Sequence, residues 1–393
     1  MLFSTLERIL KQSLVRRAAV LLWLVASALP ALRAELAPIY ANVVPGLAYA
    51  HVRDTNHPWS IHIARLERAQ RGFSIQSTLA QNHVVGISSV AVQARSAPPA
   101  WGRPLAAVNG DFFVIAHGPY QGDPDGLQIL RGELVSAPRE AAFWVERGGH
   151  LSLGQVKSQM RVNWPDGVES PLRLNEAVKP DAVTLFTPTF GPSTRATNSL
   201  ELVLEREGAG PWLPLRPNQS YAGRVCEVRL AGNTLLAPGR MVLAVGARLA
   251  HCCAGLQPGS VVRFSTALNP DLSQAEAAIG GRPLLVTGGK TEASVVPRKN
   301  DASHSARHPR TAVGFNDQYF FLVEVDGRQK NLSLGMTFAE LATFMRQLGC
   351  TEALNLDGGG SSTFWLGGRV MNSPSDKHER SVANTLVILL TGR

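Results

Sequence analysis

The sequence predicts an α+β protein of mixed β-sheets with few helices, containing a β-α-β unit near its C-terminus. Three observations carry this reading. Short runs rich in β-branched and aromatic residues, broken by Gly, Pro, Asn and Asp, recur along most of the chain. The middle, from Val156 to Val262, holds no compelling long helix. A clear 3.6-residue apolar period appears only around residue 340. With 393 residues, 45% of them apolar and 18% charged, the chain is long enough for one large domain or two medium ones.

Residues 1–34 read as a secretory signal peptide. Lys11, Arg16 and Arg17 precede an uncharged stretch, Ala18 to Leu32, too short to span a bilayer comfortably. Ala26-Ser27-Ala28, Ala31 and Ala34 offer cleavage points. The expectation is therefore an exported protein, periplasmic or extracellular, with no stable membrane insertion after cleavage. Residues 1–34 hold five basic side chains against Glu7, so their removal takes the formal net charge from +9 to +5. That excess makes no nucleic-acid footprint, and it suits an acidic substrate or an anionic cell envelope. Of the four cysteines, Cys226 is expected to bridge Cys252 or Cys253, as export permits. No spacing resembles a zinc site and no cofactor is expected; a metal is left open, and the sequence sets no oligomeric state.

Residues 35–99 read as an N-terminal β-rich segment packed on the main domain. Strands are expected at Trp59 to Ala64 and at Ile87 to Val92. The main domain, 100–393, begins after the loop Ser96-Ala97-Pro98-Pro99-Ala100 with a buried strand that runs into Asn109-Gly110-Asp111. Gly126 to Val135 reads as a hairpin turning at Arg131-Gly132, and Gly288-Gly289 as another turn. Residues 156–262 are a possible β-rich insert. Tyr319 to Val325 is a strand. Thr337 and Glu340 fit a capping box for a helix through Phe338, Leu341, Ala342, Met345 and Leu348, stopped by Gly349. Ala353 to Leu356 completes the β-α-β unit, with parallel strands and a right-handed crossover expected. Asp326 and Asp357 then emerge at one sheet edge, where α/β sheets place their ligands.

The most informative segment is Asp357-Gly358-Gly359-Gly360-Ser361-Ser362. Three consecutive glycines bring no side chain to a core and cost backbone entropy. They suit a backbone that must approach something closely, and a nest of amides has an anionic oxygen as its natural guest. Ser361 and Ser362 lack the closing glycine of a nucleophile elbow, so hydrogen bonding to substrate is their better use. Asp123-Pro124-Asp125-Gly126 reads as a turn rather than a calcium loop. His304 and His308 flank Arg310 and could carry protons.

Taken together, Ala107-Val108-Asn109-Gly110-Asp111-Phe112-Phe113, Pro309-Arg310-Thr311-Ala312-Val313-Gly314, Val325-Asp326-Gly327-Arg328, the Asp357 segment, Asn372-Ser373-Pro374 and Glu379-Arg380-Ser381 occur in an order that resembles the phosphodiester glycosidase family. The resemblance covers roughly residues 100–391. It implies hydrolysis of a sugar-1-phosphodiester, in exported or surface glycopolymers, with release of free sugar. Family members usually carry glycine where this chain has Asp111, which adds a carboxylate near the site.

Such a reaction expels a phosphate monoester, which leaves readily. It needs cationic donors on the phosphate and a carboxylate at the oxocarbenium-like centre. Asp357 is the expected nucleophile or general base, with Asp326 orienting an arginine or acting as its partner. Arg310, Arg328 and Arg380, together with Asn109, Gly358, Gly359, Gly360, Ser361, Ser362 and Asn372, are the expected substrate and phosphate contacts. The rival reading is a non-catalytic envelope protein that binds anionic exopolysaccharide through the same arginines. A nuclease that cuts P–O bonds ranks below both, since the metal ligands it would want are not found.

Overall fold

The computed structural model describes residues 38–54, 57–197, 199–296 and 306–392. The expected signal peptide and His304 lie outside the described residues. An antiparallel eight-stranded sheet runs, in spatial order, through Ala41–Val44, Leu47–Asp54, Trp59–Glu67, Tyr319–Val325, Arg310–Phe315, Glu352–Asn355, Leu284–Thr287 and Lys290–Thr291. One five-stranded sheet orders Arg369–Val370, Phe364–Leu366, Arg103–Asn109, Asn384–Leu390 and Phe73–Leu79. A second is built on Ala275–Gly281 and Ala141–Glu146. A shared core joins the three sheets, with Leu66, Phe320, Leu322, Val313 and Leu354 packed among Val108, Phe143, Ile279, Leu386 and Ile388. Seven strands between Arg161 and Ser265 close into a barrel. Leu172, Leu185, Leu202, Leu243 and Phe264 belong to a separate core there. Residues 41–79 are not a layer laid on top: they supply three strands of the large sheet and the edge strand of a five-stranded one.

Two α-helices matter for the argument. The first, α1 (Val90–Arg95), replaces part of the strand expected over Ile87 to Val92. Ser89 caps it by accepting from the Val92 amide, and Ala91 and Ala94 let it lie on the Arg103–Asn109 sheet. Of the valines that suggested a strand, Val90 packs into the core and Val92 is exposed. The second, α2 (Phe338–Gln347), has both halves of the capping box between Thr337 and Glu340, and Gly349 at φ +86° ends it. The hairpin at Arg131-Gly132 and the Gly288-Gly289 turn also stand as expected.

The β-α-β unit needs correcting. Tyr319–Val325 and Glu352–Asn355 run in the same direction but do not pair. Arg310–Phe315 lies between them, antiparallel to both. Residues 310–315 are themselves fully buried and β-branched enough to take the central place. The disulfide expectation also fails: all four cysteines are free, and Cys226 donates its thiol to the Val203 carbonyl instead.

The inward face of the large sheet changes character along its length. Leu66 and Ala64 give way to His62 and Ser60, Phe320 and Leu322 to Glu324 and Asp326, and Leu47 to Tyr49 and His51. Register aligns these rows, pairing His51 with His62, His62 with Glu324, and Glu324 with Thr311. One end of the sandwich therefore has a polar interior. The glycine segment folds over that end.

Candidate active site

Arg310 opens the central strand, Asp326 follows the strand on one side and Asp357 follows the strand on the other. The split arrangement still brings all three to one edge, because the flanking strands point the same way. A cavity of about 350 Å³ opens there, lined by His308, Arg310, Arg328, Asp357, Gly358–Gly360, Arg380 and the rings of Phe112 and Phe338.

Asp357 is half-buried and is the acid that lines this cavity. Its backbone is held from both sides: its N–H donates to the Gly110 carbonyl at 2.9 Å, and its carbonyl accepts from Asn109 Nδ2 at 2.7 Å. Burial pushes its carboxyl above the usual aspartate range. The Ser361 hydroxyl, the Gly358 N–H (2.8 Å to Oδ1) and the charges of Arg380 and Arg282 pull it back. The outcome is a carboxylate more basic than a surface aspartate, beside a cationic wall.

The three arginines differ. Arg310 is 6% exposed and stacks on Phe338, its guanidinium carbon 3.8 Å from the ring centroid. Nε and Nη2 donate to the Met336 and Ala306 carbonyls at 2.9 and 3.2 Å. Burial and the neighbouring Arg328 lower its pKa to about 10, so it stays charged at neutral pH. Arg328 is exposed, sits at φ +60°, and reaches His308 Nδ1 at 3.4 Å. Among the described residues, no carboxylate lies within 4 Å of either guanidinium. Arg380 is already paired, at 2.6 Å, with Asp376 rather than with its neighbour Glu379. Burial and the two adjacent arginines lower the pKa of His308, so it faces the cavity mainly as the neutral imidazole.

Each glycine has a distinct reason. A Cβ on Gly358 would sit 2.7 Å from the Pro309 carbonyl oxygen, and one on Gly360 2.1 Å from Arg380 Nη2. Gly359 adopts φ +62°, and Arg328 closes over it. The close approach expected from the sequence is therefore made by the protein's own arginines. Two amides of the expected anion nest are used internally: the Gly358 N–H donates to Asp357 Oδ1 and the Gly359 N–H to the Pro309 carbonyl, so neither is open to a ligand.

Several expected contacts prove to be internal braces. Asn109 is fully buried, and besides holding Asp357 its Oδ1 accepts from Thr311 Oγ1 and the Thr363 amide. Asn372 Nδ2 donates to Glu324 Oε1 and the Ser362 carbonyl, both at 3.1 Å. Ser361 and Ser362 are buried beneath the loop. Among the described residues, Asp326 touches no arginine. Its carboxylate accepts from Ser60 Oγ and the Ser373 amide, each at 2.8 Å, and lies 3.5 Å from His62 Nε2. Asp111 points away from the cavity, wedged between Gly126 and Gly280, and burial raises its pKa to about 7. Sequence reasoning missed Phe112, Phe338 and Arg282. Phe112 follows the Asn109-Gly110-Asp111 turn directly, a usable signal. Arg282, over the Phe112 ring and paired with Asp125, offered none.

Residues 232–389 match the model of the family named phosphodiester glycosidase. The chain thus carries, over residues 232–389, a domain similar to that of the phosphodiester glycosidase family. It is 39% identical over 88 residues to the uncharacterized SPbeta prophage-derived protein YomE of Bacillus subtilis (strain 168), covering 22% of this chain and 14% of that one. It is 43% identical over 68 residues to N-acetylglucosamine-1-phosphodiester alpha-N-acetylglucosaminidase of Mus musculus, covering 17% and 13%. The matched segments thus span about one seventh of these curated relatives. The solved structure of a hypothetical protein from Synechocystis shares the fold, with a TM-score of 0.70, 20% identity, and coverage of 90% of this chain and 64% of that one.

Proposed function

We propose that the cavity hydrolyses glycosyl-1-phosphodiesters at the anomeric carbon–oxygen bond, in exported or surface glycopolymers. The observation that carries this reading is the meeting of Asp357 with Arg310 and Arg328, two cations without carboxylate partners within 4 Å among the described residues, in one cavity. The arginines take the phosphate, Arg310 as a fixed donor over Phe338 and Arg328 from the rim. Asp357 works on the sugar side, as nucleophile or as the base that takes a proton from water. The phosphate monoester leaves without strong acid help, which fits a cavity whose lining supplies one carboxylate. The family match, and the mouse relative's name, point to the same bond class. The basic, uncharged and small-residue order of residues 1–34 supports export.

The test uses a glycosyl phosphodiester such as UDP-N-acetylglucosamine or a methylphospho-sugar in heavy-oxygen water. Label on the released sugar supports the proposal, and label on the phosphate refutes it. Binding of anionic polysaccharide with no turnover in the parent protein favours the non-catalytic reading.

A further inference from the structure

Beneath the glycine segment, outside the cavity, three ionisable side chains meet in the interior. His62, Glu324 and Asp326 are 2%, 0% and 1% exposed, and one ligand atom from each lies within 4.8 Å of the others. The structure assigns to them a divalent transition-metal site of the zinc type, with the His62 imidazole and the Glu324 and Asp326 carboxylates as ligands.

Charge comes first. Two buried carboxylates share a space where, among the described residues, no Arg or Lys forms an ion pair with either. Such a cluster must hold a proton, on a carboxyl or on His62, or take a metal cation. Hydrogen bonding decides which. Asp326 is provisioned as an anion, with donors from Ser60 Oγ, the Ser373 amide and, more distantly, Asn372 Nδ2. Glu324 receives Asn372 Nδ2 on Oε1, while Oε2 is buried and has no partner among the described residues. A protonated Glu324 would need an acceptor for its proton, and Oε2 has none within reach. A cation satisfies that oxygen directly.

The geometry agrees. A tetrahedral ion with bonds of about 2.1 Å sets its ligand atoms about 3.4 Å apart. His62 Nε2 and Asp326 Oδ2 stand 3.5 Å apart. His62 Nδ1 is 2.8 Å from the Tyr49 hydroxyl, and Asn372 steadies Glu324, the kind of outer partners that orient metal ligands. An imidazole beside two carboxylates favours zinc or manganese over calcium or magnesium. His51, exposed and stacked on His62 at 4.3 Å, connects the cluster to solvent. Sequence spacing could not reveal a site whose ligands lie some 260 positions apart; register brings them together.

Such an ion fastens the strand pair His62–Glu324 to the loop that carries Arg328 and, through Asn372, to Ser362. This role is independent of the proposed hydrolysis. The test is metal content of the whole chain, stripped with a chelator and then dialysed against Zn²⁺, Mn²⁺ or Ca²⁺ alone. About one equivalent of Zn²⁺ or Mn²⁺, with a Tm that rises with metal concentration, is the expected result. Glu324→Gln and His62→Gln, checked for folding by circular dichroism, should lose that uptake. No uptake of Zn²⁺ or Mn²⁺ by the stripped parent overturns the assignment, as does uptake of Ca²⁺ alone or undiminished uptake by a folded Glu324→Gln. Because the parent's own uptake is read directly, the result stands whether or not a variant folds and whether or not the enzyme proposal survives.

Discussion

Asp357 and Asp326 end equivalent strands at one edge of one sheet, yet they live in opposite electrostatic company. Asp357 faces a cavity with Arg310, Arg328 and Arg380 around it, and its nearest charges are positive. Asp326 is sealed in with Glu324 and His62, and among the described residues no arginine pairs with it. The strand between them explains the difference. Arg310 leaves its strand toward Phe338 and the Asp357 side, while the register of the neighbouring strands puts His62 and Glu324 beneath Asp326. The same residue type, at the same edge, becomes a reactive group in one place and a brace in the other.

The comparison breaks first, and most visibly, at the two aspartates. Asp357→Asn should reduce turnover of a glycosyl phosphodiester about 10²–10⁴-fold, the usual worth of a lost acid–base group. The amide oxygen still accepts the Gly358 N–H, so the Tm should stay near that of the parent. Asp326→Ala should do the reverse to stability. It takes the acceptor from the part-buried Ser373 amide, at about 1–3 kcal/mol, and leaves the Ser60 hydroxyl with His51 Nε2 alone, an effect read by urea unfolding. If Asp357→Asn destabilised the fold as much as Asp326→Ala, the division of roles would be wrong.

Much of this division was hidden from the sequence, and the reasons are specific. The capping box at Thr337 and the turns at Arg131-Gly132 and Gly288-Gly289 were readable because their cause is local. The meeting of Asp357 with Arg328 was also readable from strand direction, whereas Arg310 and Arg380 came only through the family resemblance. Strand partners were not, because nothing in Tyr319–Val325 or Ala353–Leu356 says that Arg310–Phe315 lies between them. Asn109 and Asn372 stood in the right motifs but were given the wrong work: a buried amide that clamps three segments looks, in sequence, like one that meets a ligand. The glycine run announced close approach, and only coordinates say that arginines do the approaching.

A third prediction concerns the arginine that is least free to move. Arg310→Lys keeps a charge but gives up the fork to the Met336 and Ala306 carbonyls and the stack on Phe338. Charge-assisted hydrogen bonds of about 1.5–3 kcal/mol correspond to roughly a 10–100-fold loss in kcat/KM. A loss confined to KM would say that Arg310 holds the phosphate equally well before and during reaction.

Asp111 and Asp123 extend the comparison to pH. Burial raises the first to about 7 and the second to about 8, with Arg282, Arg139 and Arg173 only partly opposing it and Asp125 adding to it. A carboxyl whose folded pKa lies above its unfolded one gives stability that is complete below the unfolded pKa. That stability is lost as pH rises through the folded value. The Tm should therefore fall between pH 4 and pH 8, and Asp111→Asn and Asp123→Asn should each flatten part of that decline. A profile unchanged in both variants would mean that these groups ionise normally.

The smallest effect belongs to Arg328. It is exposed at the rim, within 3.4 Å of His308, and closes over Gly359 from a left-handed backbone position. Water screens it as it does not screen Arg310, so Arg328→Gln should lower kcat/KM only a few-fold at low ionic strength. The informative measurement is the salt dependence. Between about 0.05 and 0.5 M salt, the gap between parent and Arg328→Gln should close, because a rim charge acts over a distance that salt shortens. The gap between parent and Arg310→Lys should persist, because that guanidinium is buried against a ring and held by carbonyls. Equal salt dependence for both would place the phosphate out at the rim, and the cavity's fixed arginine would then be bracing the loop rather than gripping a substrate.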